Sequence, residues 1–293
     1  MVARAHGVRC YVALPDDAAE EKAQLLEVLG ADVDRVRPVS ITHKDHFVNK
    51  ARRTADAASG VFADQFENLA NLKAHYEGTA PELWAQTGGK IHAFLAGSGT
   101  GGTIAGVSKY FKERHSRMKT YLVDPPGSGL HNKVVRGVLY SRHEAEGKRL
   151  RNPDDTIVEG VGLNRMTANF SQADIDASVQ VTDEETVRMS RYVLHNDGLF
   201  LGSSAAMNLV GAVKVARELG PGHTIVTILC DSGTRHMSKF WNEKVVEKRG
   251  LSSSSNEDGG GHAFPTLNFV QTGSPIPSLC SRLSAGSSSS CSK

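Results

Sequence analysis

Between Ala96 and Gly106 the chain reads AGSGTGGTIAG, five glycines and three hydroxyl residues in eleven positions. The stretch follows an apolar run, residues 90–96, and leads into residues 103–114. There Ile104, Val107 and Phe111 share one side, while Lys109, Lys112, Glu113 and Arg114 cover much of the other. The spacing predicts a strand, a loop and an amphipathic helix. The first N–H groups of a helix have no internal partner and carry the positive end of its dipole. Glycine lets those groups approach an anion without a Cβ in the way, and Thr100 and Thr103 add hydroxyls. Glycine at a helix start also costs conformational entropy, so Gly99, Gly101 and Gly102 point to a phosphate site rather than a plain turn.

The rest of the chain repeats that alternation. Residues 8–14 read as a strand ended by Pro15, residues 18–29 as a helix with Leu25, Leu26 and Leu29 on one face, and residues 32–36 as a second strand. Gly30 suits the helix C-terminus. A polar helix over 43–59, a short strand at 61–63 and a helix over 68–86 follow. After the glycine loop come a strand at 120–124, a helix opened by Thr182 with Asp183, Glu184 and Glu185 in its first turn, and an alanine-rich helix over 203–219. The apolar run 223–230 suits a buried parallel strand, with a helix over 235–248 after it. Alternating β and α over this length predicts a doubly wound α/β architecture. From Leu251 the sequence turns Ser/Gly-rich, with serine runs at 252–255 and 287–290. Residues 251–293 are expected to be a disordered tail without chemistry.

Composition excludes several classes. Lys plus Arg is 34 against 32 Asp plus Glu, a formal net charge of +2, which argues against a nucleic-acid partner. The four cysteines, Cys10, Cys230, Cys280 and Cys291, form no Cys-x-x-Cys pair, so neither a metal site nor a redox motif is signalled. Cys10 and Cys230 lie in apolar runs and are expected to be buried thiols. Sparse, unpaired cysteine fits a reducing compartment, hence the cytoplasm. No stretch approaches the roughly 18 apolar residues of a membrane span, and residues 1–7 lack the apolar core of a secretory signal.

Two ligands compete for the loop. Gly97, Gly99 and Gly102 satisfy G-x-G-x-x-G, and Asp124 follows Gly102 by 22 residues at the end of the next strand. That is the dinucleotide fingerprint, with an acid placed for a ribose hydroxyl, and it would make the chain an NAD(P)-binding oxidoreductase.

Other segments favour a different ligand. Residues 90–103, with GTGGT at 99–103, resemble the pyridoxal-phosphate cradle of the cysteine synthase family, fold type II enzymes that include O-acetylserine sulfhydrylases and cystathionine β-synthase-like members. The segments QFENLAN at 65–71 with His75, WAQTGGK at 84–90, VEGVG at 158–162, DGLFLGSSAA at 197–206 and DSGTR at 231–235 resemble further parts of that family, in order. The resemblance covers roughly residues 7–250. It implies two doubly wound α/β domains of the tryptophan synthase β-like architecture. Residues 1–67 would be the remainder of an incomplete smaller domain and 68–250 the larger, cofactor-binding one.

The resemblance also implies roles. The cofactor would be pyridoxal 5'-phosphate, with Gly99, Thr100, Gly101, Gly102 and Thr103 holding its phosphate and Ser232 at the pyridine nitrogen. Gln65 would lie near the carboxylate of an amino-acid substrate, and Gly160 on a loop flanking the cleft. The implied reaction is β-replacement on O-acetylserine, with sulfide displacing acetate to give cysteine; serine dehydration and cystathionine formation use the same parts. A homodimer is implied, and for an intact form the mitochondrion stays open beside the cytoplasm. From the residues alone, Ser232 also reads as a helix cap, His75 as a polar helix-face residue and Asp124 as a strand end.

The sequence departs from the family in one respect. The chemistry uses a lysine that forms a Schiff base with the cofactor, and the family places it before the strand at Val8, followed by a Ser-Ser-Gly-Asn-Thr-Gly loop. This chain contains neither. Residues 2–6 read as the last turn of a helix ending at Gly7, too short to hold alone, so an N-terminal part is expected to be missing. Lys22, Lys50 and Lys73 sit in charged helix patterns expected to face solvent, and Lys90 starts its strand at the end away from the loop. The expectation is therefore an N-terminally shortened relative with no catalytic lysine. It would bind cofactor phosphate weakly and catalyse poorly, or pair as a non-catalytic remnant with an intact homologue.

Overall fold

The computed structural model describes residues 1–115, 117–140, 156–251 and 267–271. The first part holds α1 (Val2–Ala5), β1 (Tyr11–Pro15), α2 (Glu20–Val28), β2 (Asp32–Val36) and α3 (Phe47–Ala57). β1 and β2 pair in parallel through α2, the crossover expected from the alternation. Asp34 on β2 accepts from the Tyr11 hydroxyl at 2.5 Å and pairs with Lys50 of α3 at 2.6 Å, so three elements meet on one carboxylate. α3 starts four residues later than the polar pattern suggests, because His46 caps it by accepting from the Val48 N–H at 3.2 Å.

The second part runs α4 (Ala70–Ala74), a π-helical turn (His75–Thr79), α5 (Ala80–Thr87), β3 (Ala93–Gly97), α6 (Gly102–Arg114), β4 (Lys119–Asp124), α7 (Gly129–Arg136), β5 (Ala177–Gln180), α8 (Asp183–Asp197), α9 (Ser203–Leu219), β6 (Ile225–Thr227) and α10 (Glu243–Lys248). Its sheet has the order β5-β4-β3-β6, all parallel. Successive residues of a strand face opposite sides, and both faces of this sheet are covered. Ala93 and Leu95 enter one core with Val123 and the α8 and α9 residues Val187 and Met207. Phe94 and Ala96 enter the other with Leu122, Ile104 and Phe111. α8 opens as the acids predict: Thr182 and Glu185 form a reciprocal capping box.

Several expectations are corrected. Residues 61–63 form no strand; they run irregularly, with Val61 94% exposed, because no neighbour pairs with them. The run 223–230 yields only the short β6, half-buried at the sheet edge, and Leu229 and Cys230 beyond it are exposed. Cys10 is half-buried. In place of one helix over 235–248 there is a 3-10 turn at Gly233–Arg235, then α10 restarted by the Asn242 cap. Between them the His236 side chain reaches back to Asp231 at 2.8 Å, which curls the chain. Within the expected tail, residues 267–271 do bury apolar surface: Val270 is 2% exposed, and Arg217 donates to the Val270 and Leu267 carbonyls at 2.6 and 2.8 Å. Residues 252–266 and 272–293 of that tail, with Cys280 and Cys291, lie outside the described residues.

Candidate functional site

The glycine loop joins the C-terminal end of β3 to the N-terminus of α6, as the sequence predicts. Gly101 caps α6 in the left-handed region (φ 86°), a conformation that favours glycine. A Cβ there would come within 2.6 Å of the Phe170 backbone. At Gly99 it would collide with the carbonyl oxygen of Gly160, and at Gly102 with the side-chain amide of Asn71. The glycines are bare because three other segments close on the loop: residues 65–72, residues 159–162 and residues 167–170.

Each segment is tied down by polar side chains. Asn71 Nδ2 donates to the Gln65 carbonyl at 2.8 Å and to Thr100 Oγ1 at 3.0 Å. Thr167, 1% exposed, donates to the Thr100 carbonyl at 2.6 Å. The fully buried Asn169 accepts from the Leu72 N–H at 3.1 Å and donates to the Phe66 carbonyl at 2.7 Å. Asn208, in the middle of α9, accepts from the Gly97 N–H at 2.8 Å and donates to the Ile228 carbonyl at 2.8 Å, joining the ends of β3 and β6. On the first turn of α6, Thr103 Oγ1 shares a hydrogen bond with His75 Nε2 at 3.1 Å, and His75 Nδ1 shares another with Thr79 at 2.9 Å. Burial lowers the His75 pKa, which favours the neutral ring. His75 is thus a half-buried partner of the loop and not a solvent-facing helix residue.

A chain of contacts leads from the loop to Ser232. Gly160 (φ 82°) rests its carbonyl on Gly99, and the Glu159 N–H donates to Ser203 Oγ at 3.3 Å. The Gly202 N–H donates to the Asp231 carbonyl at 2.9 Å, and Leu201 bridges to Ser232. Ser232 is exposed and caps the 3-10 turn, its Oγ accepting from the Thr234 N–H at 3.3 Å and the Thr234 hydroxyl at 3.1 Å. Gln65 is exposed as well, and its backbone carbonyl accepts from Asn71 Nδ2.

Behind Gly160 the carboxylate of Glu159 gathers donors from two further segments. It accepts from the Ala19 N–H at 3.0 Å and from Lys239 at 3.2 Å, and it pairs with Lys22 of α2. Burial alone would push the Glu159 carboxyl up; the bond to Lys22 and the charges of Lys22 and Lys239 outweigh it and hold the pKa below the usual range. Lys22 therefore does not sit on a purely solvated face.

Asp124 lies elsewhere in function. It is fully buried, and its Oδ2 accepts from the His131 N–H at 2.8 Å. Burial pushes its pKa up to about 7. A carboxyl closed off from solvent and engaged by α7 is not offered to a ribose hydroxyl, so the dinucleotide fingerprint loses its acid. Among the described residues no group of His, Cys, Asp and Glu is placed to hold a metal ion, and no helix is long and apolar enough to cross a membrane.

The cradle suits a phosphate ester. Amide hydrogens open at a helix start, two threonine hydroxyls flank them, and Ser98 Oγ, 1% exposed, has no partner among the described residues. Asn71, Thr167, Asn169, Asn208 and Glu159 have no role in the sequence reading. One signal was there to find: an asparagine inside an alanine-rich helix, as at 208, is out of place unless it is bonded.

Comparison with known proteins agrees with this geometry. Residues 1–231 match a family described as pyridoxal-phosphate dependent enzyme. "Cysteine synthase 2" of Schizosaccharomyces pombe is 52% identical over 84% of this chain and 65% of its own length. "Cysteine synthase 2" of Neurospora crassa is 53% identical over 87% of this chain and 58% of its own. "Putative mitochondrial cysteine synthase" of Saccharomyces cerevisiae is 50% identical over 83% and 64%. The chain thus spans about 58–65% of the length of these relatives. Among solved structures, an O-acetylserine dependent cystathionine beta-synthase from Helicobacter pylori superposes with a TM-score of 0.69 at 30% identity, covering 81% of this chain and 72% of that one.

Proposed function

The chain belongs to the family of pyridoxal-phosphate dependent enzymes, and on that premise we propose that it is a cysteine synthase-like protein whose parent reaction replaces the acetate of O-acetylserine by sulfide. The observation that carries this reading is the cradle at the α6 N-terminus, closed by Gly160 and Asn71 over glycines that admit no Cβ. Pyridoxal phosphate, when bound, supplies the electron sink that lets bonds at an amino acid's Cα break. The remaining work falls to the chain. Gly99 and Gly101 bring amide hydrogens to the phosphate, Gly102 keeps the helix start bare of a Cβ while its own N–H serves Thr100, and Thr100 and Thr103 add hydroxyls. Ser232 offers a neutral hydroxyl to the ring nitrogen, which suits reactions driven by loss of a leaving group. Gln65 borders the place of the substrate carboxylate, and Gly160 lies on the loop flanking the cleft. Neutral His75 steadies Thr103 without adding charge beside the anion.

Residues 1–67 and 68–250 are read as two domains, each around its own parallel sheet, meeting at Glu159. Lys22 and Lys239 are the lysines bound to Glu159 behind the Gly160 loop, and both are engaged there. Neither is read as a Schiff-base lysine, and the chain's own contribution is cofactor binding. A homodimer, and a place in the cytoplasm or the mitochondrion, complete the reading; the name of the yeast relative supports the second.

Titration of the purified chain separates the cofactors. Pyridoxal phosphate is expected to give a saturable change in visible absorbance, suppressed by inorganic phosphate, and NADH none. A response to NADH alone overturns the assignment. Turnover is tested by supplying O-acetylserine and sulfide and measuring cysteine; product from serine and homocysteine instead would move the reaction to cystathionine formation.

A further inference from the structure

Thr100 Oγ1 receives two hydrogens. One comes from the Gly102 N–H at 3.3 Å, the other from Asn71 Nδ2 at 3.0 Å. The orientation of the Asn71 amide is fixed by its second bond, at 2.8 Å to the Gln65 carbonyl, because a carbonyl can only accept. Nδ2 therefore faces both partners and spends both of its hydrogens. A threonine hydroxyl has two lone pairs and one hydrogen. With both lone pairs taken, the hydrogen of Thr100 has to be donated, and no acceptor for it lies among the described residues. It is a donor left over at the mouth of the α6 N-terminus.

We propose that Asn71 is a positioning residue that sets the polarity of Thr100, so that its hydroxyl donates to the phosphate group of the cofactor. Resting on the reading above, this deepens it by naming a residue on a different element that makes the cradle selective for an anionic ester. Gly102 belongs to the same device, since a Cβ at that position would collide with the Asn71 amide. Thr167 adds to it by holding the Thr100 backbone through its carbonyl at 2.6 Å.

The test compares two probes without an aldehyde, pyridoxine 5'-phosphate and pyridoxine, so that no adduct with surface lysines intervenes. Both are titrated calorimetrically into the full chain. The unmodified chain is expected to prefer the phosphate ester. Asn71→Ala should weaken the ester by about tenfold or more, the scale of one hydrogen bond to a charged group, and leave pyridoxine unchanged. Thr100→Val should give the same selective loss, Thr100→Ser should restore the preference, and Asn71→Ala with Thr100→Val should lose little beyond either alone. Undiminished ester affinity in Asn71→Ala beside a loss in Thr100→Val overturns the inference and spares the cradle. Equal loss of both probes in Asn71→Ala, with the unfolding temperature lowered, makes Asn71 merely structural and also overturns it. No preference for the ester in the unmodified chain overturns the cradle itself and this inference with it.

Discussion

Gly99 shows how a single hydrogen in place of a methyl decides whether two loops meet. The Gly160 carbonyl occupies the space its Cβ would need, and backbone cannot swing aside as a side-chain tip does. Gly99→Ala is expected to destabilise the fold by about 1–3 kcal/mol, the usual range for overpacking, and to weaken pyridoxine 5'-phosphate binding in parallel. Thermal unfolding and calorimetry read the two effects. Asp124 gives a pH-dependent counterpart. Its pKa is near 4 when exposed and about 7 when buried in the fold. Between those values the folded chain holds a proton that the unfolded chain has released, so this residue's contribution to stability is full below about pH 4 and is lost as pH rises to about 7. Asp124→Asn should abolish that slope in denaturant titrations run from pH 4 to 8. Other residues were not legible from sequence. The glycines and threonines of the loop announce themselves because their pattern is local. Asn208 and Gly97 are 111 positions apart, Asn169 and Phe66 103, and no periodicity reports a bond between such partners. Asn208→Ala would leave the Gly97 N–H and the Ile228 carbonyl without their partner, a loss of about 1–3 kcal/mol measurable by denaturant unfolding.

At the level of elements, helices with strong ends were readable and strands at edges were not. Thr182, with three acids after it, and the alanine-rich run 203–219 define α8 and α9 because capping and propensity act within a turn. An apolar run reports only that a segment wants neighbours. For residues 223–230 the neighbour exists on one side, β3, and the run therefore shrinks to β6 with Leu229 left 46% exposed. The long-range elements are joined by charge. Lys22 and the Ala19 N–H bring the start of α2 to Glu159, while Glu21 accepts from the Ser238 N–H at 2.6 Å. Glu159→Gln takes the carboxylate from Lys22 and Lys239 together. Amide hydrogen exchange over α2 should then quicken, by the roughly 5- to 150-fold that about 1–3 kcal/mol of lost local stability gives, while β3 and β4 stay protected. Equal acceleration in α2 and β3 would show that the carboxylate supports the whole fold rather than this joint.

Across the whole molecule, the described residues form two parallel sheets of two and four strands, the first with α2 as the crossover that reaches Glu159 and the second carrying the glycine loop. Fold class was legible because a parallel sheet needs crossovers, and crossovers write alternating apolar runs and helical periods into the sequence. The joint between the two parts was not, since its bonds link residues far apart in sequence, Lys22 with Glu159 across 137 positions and Glu21 with Ser238 across 217. The π-helical turn at His75–Thr79 carries a consequence for how such a chain tolerates insertions and deletions. A π turn holds one residue more than regular helical geometry requires. Deleting Gly78 would let α4 and α5 run together as an unbroken helix, and with α5 anchored by Trp84 against Phe111 the residues before the turn would swing by roughly 100° about the axis. Asn71 and His75 would then face away from α6. A lineage that lost that codon would keep a well-folded helix and part with its grip on the vitamin.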